Sequence, residues 1–156
     1  MSFDSYKSKH LKEIQFQNSR LNSVGVELMT LADLYERVPS DQLAQPERVN
    51  FHILFWVTHG IGKHTIDFVD YRISANSLLS VIPGQVHQWH INPALKGALL
   101  LFRPSALHPT SLIDQWPACC QLTPPLVDEL GLGFEQLHQD LNSFSPTKLD
   151  VALIRH

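Results

Sequence analysis

Short apolar segments separated by turn-forming residues fill the centre of the chain. They are rich in β-branched and aromatic side chains, and glycine, proline or asparagine lies between them. No segment there combines the length and the 3.6-residue periodicity of a helix. The pattern therefore predicts an antiparallel sandwich or barrel of short strands. The segments are VNFHILFWVT, HTIDFVDYRI, LLSVIP, VHQWHI and KGALLLF.

The regions on either side have other patterns. VGVELMTL predicts one more strand and ADLYERV a short helical turn, whereas the polar stretch from Ser40 to Arg48 predicts a loop. Apolar residues at helical spacing predict a helix in FEQLHQDL, after a break at Gly131 and Gly133, and a second helix in KLDVALIRH.

The apolar stripes of these C-terminal helices are too large for one short helix to bury alone. They either fold back on the barrel or meet a second copy of the chain, and both readings stay open. The second helix has no stop signal before His156, which favours a chain cut from a longer protein. The residues proposed for dimerisation are Leu137, Leu141, Leu149 and Leu153.

Composition and charge narrow the functions that this chain performs alone. It has 156 residues, 44% of them hydrophobic and 17% charged, as in an ordinary globular protein. Twelve basic against 15 acidic residues give a net charge of −3, and no basic cluster indicates direct DNA binding. No apolar run reaches the ~18 residues of a membrane helix, and the N-terminal segment MSFDSYKSKHLKE lacks the apolar core of a signal peptide, so export is not expected. Cys119 and Cys120 are expected to be reduced thiols, so a cytoplasmic location is predicted.

Three segments resemble the N-terminal ligand-binding cupin domain of AraC-type (AraC/XylS) transcription regulators. They are HGIGKHTIDFVDYRI, SLLSVIPGQVHQW and KGALLLFRP, and the most specific parts are Gly60–Phe68 and Pro83–Trp89. The resemblance implies a mostly β fold: a cupin-type double-stranded β-helix (jelly-roll) barrel, followed by one or two C-terminal α-helices. It also implies a DNA-binding domain with two helix-turn-helix motifs, which this chain lacks.

The domain organisation expected from this likeness has two parts. Residues 1–110 form the ligand-binding barrel with an N-terminal arm, and residues 111–156 form a linker and a helical dimerisation segment. Gly60 and Gly62 are expected to form a tight hairpin turn, and Pro83-Gly84 a second turn.

Strand alternation places a set of apolar and imidazole side chains inside the predicted barrel. Such a cavity suits a small, partly apolar effector such as a sugar or an organic acid. The competing interpretation is that the aromatic residues only pack the core and that each imidazole bonds to a backbone carbonyl. The predicted ligand-binding residues are Phe51, Ile53, Phe55, His64, His87 and Trp89.

The metal-ligand pattern of cupin enzymes is largely missing. Counted from the glycines, its positions fall on Glu47, Val49, Ile53 and His87, so one histidine and one acidic residue remain. Alternation places His52 on the opposite face, and His64 with His87 would form a poor site without a partner carboxylate. We therefore predict no metal, no other cofactor and no catalytic residue.

The expected function is that of a ligand-sensing, dimerising domain of an AraC-type DNA-binding regulator. Its partners would be a small-molecule effector and a second copy, with no membrane and with DNA bound only through the other domain. Two alternatives remain: a metal-dependent cupin enzyme, either an isomerase or an oxygenase, and a scaffold that dimerises without a ligand.

Overall fold

The computed structural model describes residues 12–14, 25–106 and 114–143, and these residues form two five-stranded sheets packed face to face. The first sheet has the order β1-β3-β8-β5-β6, with β1 Lys12–Ile14, β3 Glu47–Val49, β8 Val86–Trp89, β5 Ile61–Ile66 and β6 Val69–Ser74. The second has the order β10-β7-β4-β9-β2, with β10 Cys119–Gln121, β7 Ser77–Val81, β4 His52–His59, β9 Lys96–Phe102 and β2 Val26–Thr30.

The chain passes repeatedly from one sheet to the other. Among the described strands, β1 and β3 pair in parallel and the remaining neighbours are antiparallel. Successive strands β3, β4 and β5 alternate between the sheets, and so do β7, β8 and β9. This winding confirms the predicted mostly β fold of the cupin jelly-roll type.

Three α-helices accompany the sheets in the described part of the chain: α1 Leu31–Arg37, α2 Ser40–Leu43 and α3 Pro124–Asn142. A capping box starts α1, because the Asp33 amide donates to Thr30 Oγ1 and the Thr30 amide donates to Asp33 Oδ2, both at 3.1 Å. The loop predicted for Ser40–Arg48 is wrong in part. It contains α2 and the start of β3, which are too short to show a period in the sequence.

The main core lies between the two sheets. Alternate residues of β4 point into it, namely Ile53, Phe55 and Val57, and each is at most 4% exposed. The intervening Leu54 belongs to a second apolar cluster on the outer face of the second sheet, against α3. Because this sheet is covered on both faces, β4 has near-continuous apolar residues instead of a strict alternation.

Of the two expected turns, the one at Pro83-Gly84 is confirmed, with Gly84 at φ +90°, and the hairpin at Gly60 and Gly62 is wrong. Gly60 has φ +96°, but β4 and β5 lie in different sheets, so it forms a corner and not a hairpin. A Cβ there would lie 2.7 Å from the carbonyl oxygen of Ala94, which only glycine avoids. Gly62 lies within β5, and the hairpin turn is at Asp67 and Phe68, between β5 and β6.

The predicted helix break at Gly131 and Gly133 is wrong, since α3 runs through both residues. Glycine weakens a helix by only ~1 kcal/mol, and contact with the sheet outweighs that cost. Gly131 lies beside the indole of Trp56, whose ring also packs edge-on against Phe134 at 5.6 Å. The helix predicted for 148–156 lies outside the described residues. Within them, no helix is long and apolar enough to cross a membrane.

Candidate functional site

The barrel interior brings together the six residues predicted to bind a ligand. All are buried, with exposed fractions between 2% and 5%. Phe51 and Ile53 belong to the main core, whereas the other four residues also make ring contacts with one another. We call these four the imidazole cluster: Phe55 from β4, His64 from β5, and His87 and Trp89 from β8.

Cross-strand register in the first sheet positions the two histidines. Trp89 is the partner of His64, and His87 is the partner of Ile66 two residues along β5. The imidazoles are therefore diagonal neighbours on the inner face of the sheet. His64 Nε2 lies 2.9 Å from His87 Nδ1, so one ring donates a hydrogen bond to the other.

Both imidazoles are neutral at pH 7. Burial lowers the pKa of His64 well below its usual value, and the charges of His87 and His90 lower it further. Burial alone lowers the pKa of His87 to about 4. Two neutral rings can share one proton in a hydrogen bond, which satisfies a nitrogen on each without a backbone carbonyl.

Aromatic rings enclose the histidine pair. The edge of Trp89 meets His64 at 4.5 Å and His87 at 5.6 Å between ring centroids. Phe55 lies 5.3 Å from Trp89 and 6.3 Å from His64. The site is thus an apolar, aromatic environment with a few fixed polar nitrogens, the combination that binds small, partly apolar molecules.

Glu47 is the neighbour of the imidazole cluster that we did not predict as a site residue. It is 6% exposed, pairs with His87 across β3 and β8, and places Oε2 4.0 Å from His87 Nε2. That distance exceeds a hydrogen bond. The signal was present in the sequence, since Glu47 occupies one of the cupin metal-ligand positions.

The expectation that the two histidines lack a carboxylate is therefore wrong, but the geometry is not that of a metal site. His87 directs Nδ1 to His64 and Nε2 toward Glu47, so the three groups form a chain and do not converge on one point. Across the described ranges, no three His, Cys, Asp or Glu side chains are arranged to hold a metal ion. The absence of a metal stays a prediction, which metal analysis of the purified protein tests.

His52 lies on the outer face of the second sheet, where it stacks on Phe102 at 4.7 Å. Its predicted separation from the inward-facing residues is confirmed.

Asp67 stabilises the β5–β6 turn, because its carboxylate accepts bonds from the Val86 amide and from Gln85 Nε2, both at 3.0 Å.

Asp70 lies within β6, where it accepts a 2.6 Å bond from the Thr65 hydroxyl. That bond is the largest cause that lowers the Asp70 pKa. His90 Nε2 lies 2.7 Å from the same hydroxyl. A hydroxyl has one proton, so His90 donates to Thr65.

Two of the four residues predicted for dimerisation lie in α3. Leu137 and Leu141 are half-buried, on the same side of the helix as Leu130 and Phe134, which pack near Trp56. No residue of α3 is fully buried, so the helix lies on the barrel without being enclosed by it. Leu149 and Leu153 lie outside the described residues.

A jelly-roll barrel with a buried, aromatic-lined polar centre defines a class of small-molecule-binding domains. The chain matches the family model of the AraC-like ligand binding domain over residues 33–156, and it belongs to that family. Domains of this family are regulatory modules. A search of curated proteins finds no match.

The comparison with solved structures finds similarity to ToxT, to a cupin protein and to an oxalate decarboxylase, all distant in sequence. ToxT from Vibrio cholerae O395, bound to (E)-4-(8-methylnaphthalen-1-yl)but-3-enoic acid, is 13% identical with a TM-score of 0.41, covering 67% of this chain and 45% of that chain. A cupin protein from Bacteroides fragilis is 15% identical with a TM-score of 0.33, and the match covers 62% of this chain and 90% of that chain. Oxalate decarboxylase from Bacillus subtilis is 16% identical with a TM-score of 0.30, and the match covers 57% of this chain and 25% of that chain. The chain thus spans less than half the length of that ToxT chain.

Proposed function

We propose that this domain senses a small effector inside the barrel and passes the signal on within an AraC-type transcription regulator. The observation that carries the proposal is the buried His64–His87 pair between the rings of Phe55 and Trp89. Buried neutral imidazoles are hydrogen-bonding groups that can exchange partners without a change of charge. An entering ligand would replace the bond between them with bonds of its own.

The effector would be a small, partly apolar molecule with a few polar groups, such as a sugar or an organic acid. The rings of Trp89 and Phe55 provide faces and edges against which a sugar ring or a carbon chain packs. No reaction is needed: the ligand would favour one arrangement of the regulator over another because it binds the two with different affinities.

A thermal-shift screen of the purified chain against sugars, organic acids and amino acids tests this proposal. A ligand specific for the folded domain, present at 100 times its Kd, adds ~2.7 kcal/mol of stability and raises the Tm. The double variant His64→Gln and His87→Asn keeps a polar side chain at each position but changes the donor geometry, so it should lose the shift.

The matched control is His59→Gln, because this histidine is exposed at the end of β4. It should respond to the ligand like the unmodified chain. A ligand that stabilises the unmodified chain and the double variant equally would contradict a site at the imidazole cluster.

The remaining parts of the proposal concern the whole regulator. Residues 1–110, together with β10, which pairs with β7 in the second sheet, would form the sensing unit. The rest of residues 111–156 would link it to a partner copy through Leu137 and Leu141, with Leu149 and Leu153 extending the contact. DNA would be bound by a separate C-terminal domain, in keeping with the net charge of −3 on this chain. Because the chain belongs to a family of regulatory domains and has no metal-site geometry at its imidazole cluster, we favour this function over a metal-dependent isomerase or oxygenase.

A further inference from the structure

An apolar space lies outside the barrel, between the outer face of the second sheet and α3. It is a groove of about 440 Å³, within the size range of small-molecule sites. Its floor includes Leu78, Ser80 and Cys120, and its walls include Leu126, Leu130 and Trp116. On β7 the neighbouring Leu79 and Val81 belong to the core between the sheets, so the strand itself separates this groove from the imidazole cluster.

Ser80 is the unusual residue of the groove. It is 5% exposed, and its hydroxyl has no hydrogen-bond partner among the described residues. It shares the outer face of β7 with Leu78, since the two are separated by one residue. A buried hydroxyl without a partner costs ~1–3 kcal/mol, a cost that a ligand with a hydrogen-bonding group would remove.

The neighbouring strand β4 also has buried polar atoms without a hydrogen-bond partner among the described residues. In the described part of the chain, three buried side-chain polar atoms lack a partner: Ser80 Oγ, Trp56 Nε1 and His52 Nδ1. All three belong to the outer face of the second sheet, because His52 stacks on Phe102 and Trp56 packs on α3. The unmet hydrogen-bonding capacity is therefore concentrated on the face that forms the floor of the groove.

The charge of the lining decides the class of ligand. Among the described residues, the lining contains Glu129 and no lysine or arginine, so a carboxylate would meet repulsion without a counter-ion. The Ser80 hydroxyl can donate to a carbonyl oxygen. We propose that the groove binds a neutral, mostly apolar small molecule that presents a carbonyl oxygen to Ser80.

Decan-2-one and decanoate, compared in competition with the neutral fluorescent probe N-phenyl-1-naphthylamine, test the proposal on the full chain. They share a ten-carbon chain and differ in the charge of the polar end. Decan-2-one should displace the probe, and decanoate should bind at least about tenfold more weakly at pH 7 because one uncompensated charge costs more than 1.4 kcal/mol. Equal binding of the two would overturn the proposal, as would no displacement by decan-2-one.

Ser80→Ala tests the polar contact. It removes the hydroxyl with little change of volume and should weaken decan-2-one about fivefold, the equivalent of one neutral hydrogen bond. Leu132→Ala is the matched control, because Leu132 is 69% exposed and lies outside the groove lining. The affinity of this variant for decan-2-one should not change. An unchanged affinity in Ser80→Ala would overturn the contact. A loss confined to His87→Asn would place the ligand in the barrel instead, and would overturn the groove.

Adjacent cysteines give an independent readout, in which the Cys119→Ser variant leaves the groove lining unchanged. Cys120 lines the groove, whereas Cys119 packs against the core between the sheets. In the Cys119→Ser variant, decan-2-one should slow the alkylation of Cys120 by iodoacetamide. In Cys120→Ser, the slower alkylation of Cys119 should be unaffected by the ketone. Protection of Cys119 alone would contradict the proposed site. Protection of neither thiol would also contradict it, and this result is expected if another part of the chain closes the groove.

Discussion

At the scale of single residues, the decisive feature is that His64 and His87 are hydrogen-bonded to each other inside the barrel. Each is 2% exposed, and an imidazole so buried must be neutral and must find a partner. Being bonded to each other, the two rings need no ligand to be satisfied, which lets the domain be stable without an effector. The burial of both rings makes the domain sensitive to acid.

We expect the free energy of unfolding to fall between about pH 6.5 and pH 4. The pKa of His87 is lowered from 6.5 to about 4, so in this interval the unfolded state binds more protons than the folded state. The stabilisation by the neutral ring is complete above pH 6.5 and is lost as the pH falls, by ~3 kcal/mol for this residue alone. The lowered pKa of His64 adds to the effect in the same direction.

Urea unfolding at pH 7, 5.5 and 4.5 measures this loss. The double variant His64→Gln and His87→Asn has no titrating ring at either site, so its stability should depend less on pH over this interval. His59→Gln should retain the full slope, because that ring is exposed. A double variant with an unchanged slope would show that other groups dominate the acid sensitivity.

At the scale of elements, the second sheet supports both functional surfaces. Its inner face contributes Phe55 to the imidazole cluster, and its outer face forms the floor of the apolar groove under α3. β4 and β9 lie at the centre of this sheet. Their close approach depends on Gly97, which pairs with Val57 beside an irregularity in the register.

Gly97→Ala should destabilise the fold strongly. A Cβ at Gly97 would collide with the carbonyl oxygen of Trp56 and would lie 2.6 Å from Phe55 Cε1. Neither can move without disturbing the sheet or the core, so we expect a loss of at least ~2 kcal/mol.

Gly133→Ala is the opposite case in α3, where an added Cβ meets no atom within 4 Å. It should stabilise the domain by ~0.5–1 kcal/mol, because alanine loses less backbone entropy in a helix. Thermal unfolding of both variants measures these changes: the Tm should fall for Gly97→Ala and rise for Gly133→Ala. Equal effects would mean that Gly97 is not closely packed.

At the scale of the whole molecule, α3 connects the barrel to the proposed partner copy. Its first half forms a wall of the groove, and Phe134 contacts Trp56, while Leu137 and Leu141 follow on the same side and stay half-exposed. An incompletely covered apolar stripe suits a second copy better than solvent. Dimerisation through this stripe remains our proposal.

The double variant Leu137→Glu and Leu141→Glu should shift a dimer to monomer in sedimentation velocity experiments, because two charges would enter each copy of an apolar contact. Leu132→Glu is the matched control on α3, since its position is 69% exposed. It should leave the distribution unchanged. A dimer that survives the double variant would place the contact elsewhere.

Sequence reasoning identified the fold and placed the predicted site residues in the interior, but it did not identify their partners. The period of two placed Ile53 and Phe55 inward and His52 outward, because alternation is a property of any strand. Glu47 occupies a cupin metal-ligand position in the sequence, but its approach to His87 depends on pairing between β3 and β8, which are far apart in the sequence. The break predicted at Gly131 and Gly133 was wrong because contact with Trp56 outweighs local propensity.

The sequence by itself determined a sandwich or barrel of short strands, through apolar segments with turn residues between them. The jelly-roll class was implied by the resemblance of the segments around Gly60 and Pro83 to the AraC-type cupin domain. It also determined which side chains face the interior, since pleating fixes that locally. Only the tertiary structure decided that His64 bonds to His87, that Glu47 lies beside them, and that α3 leaves an apolar groove over Ser80. These depend on register between strands and on the packing of a helix against a sheet, and neither is encoded by neighbouring residues alone.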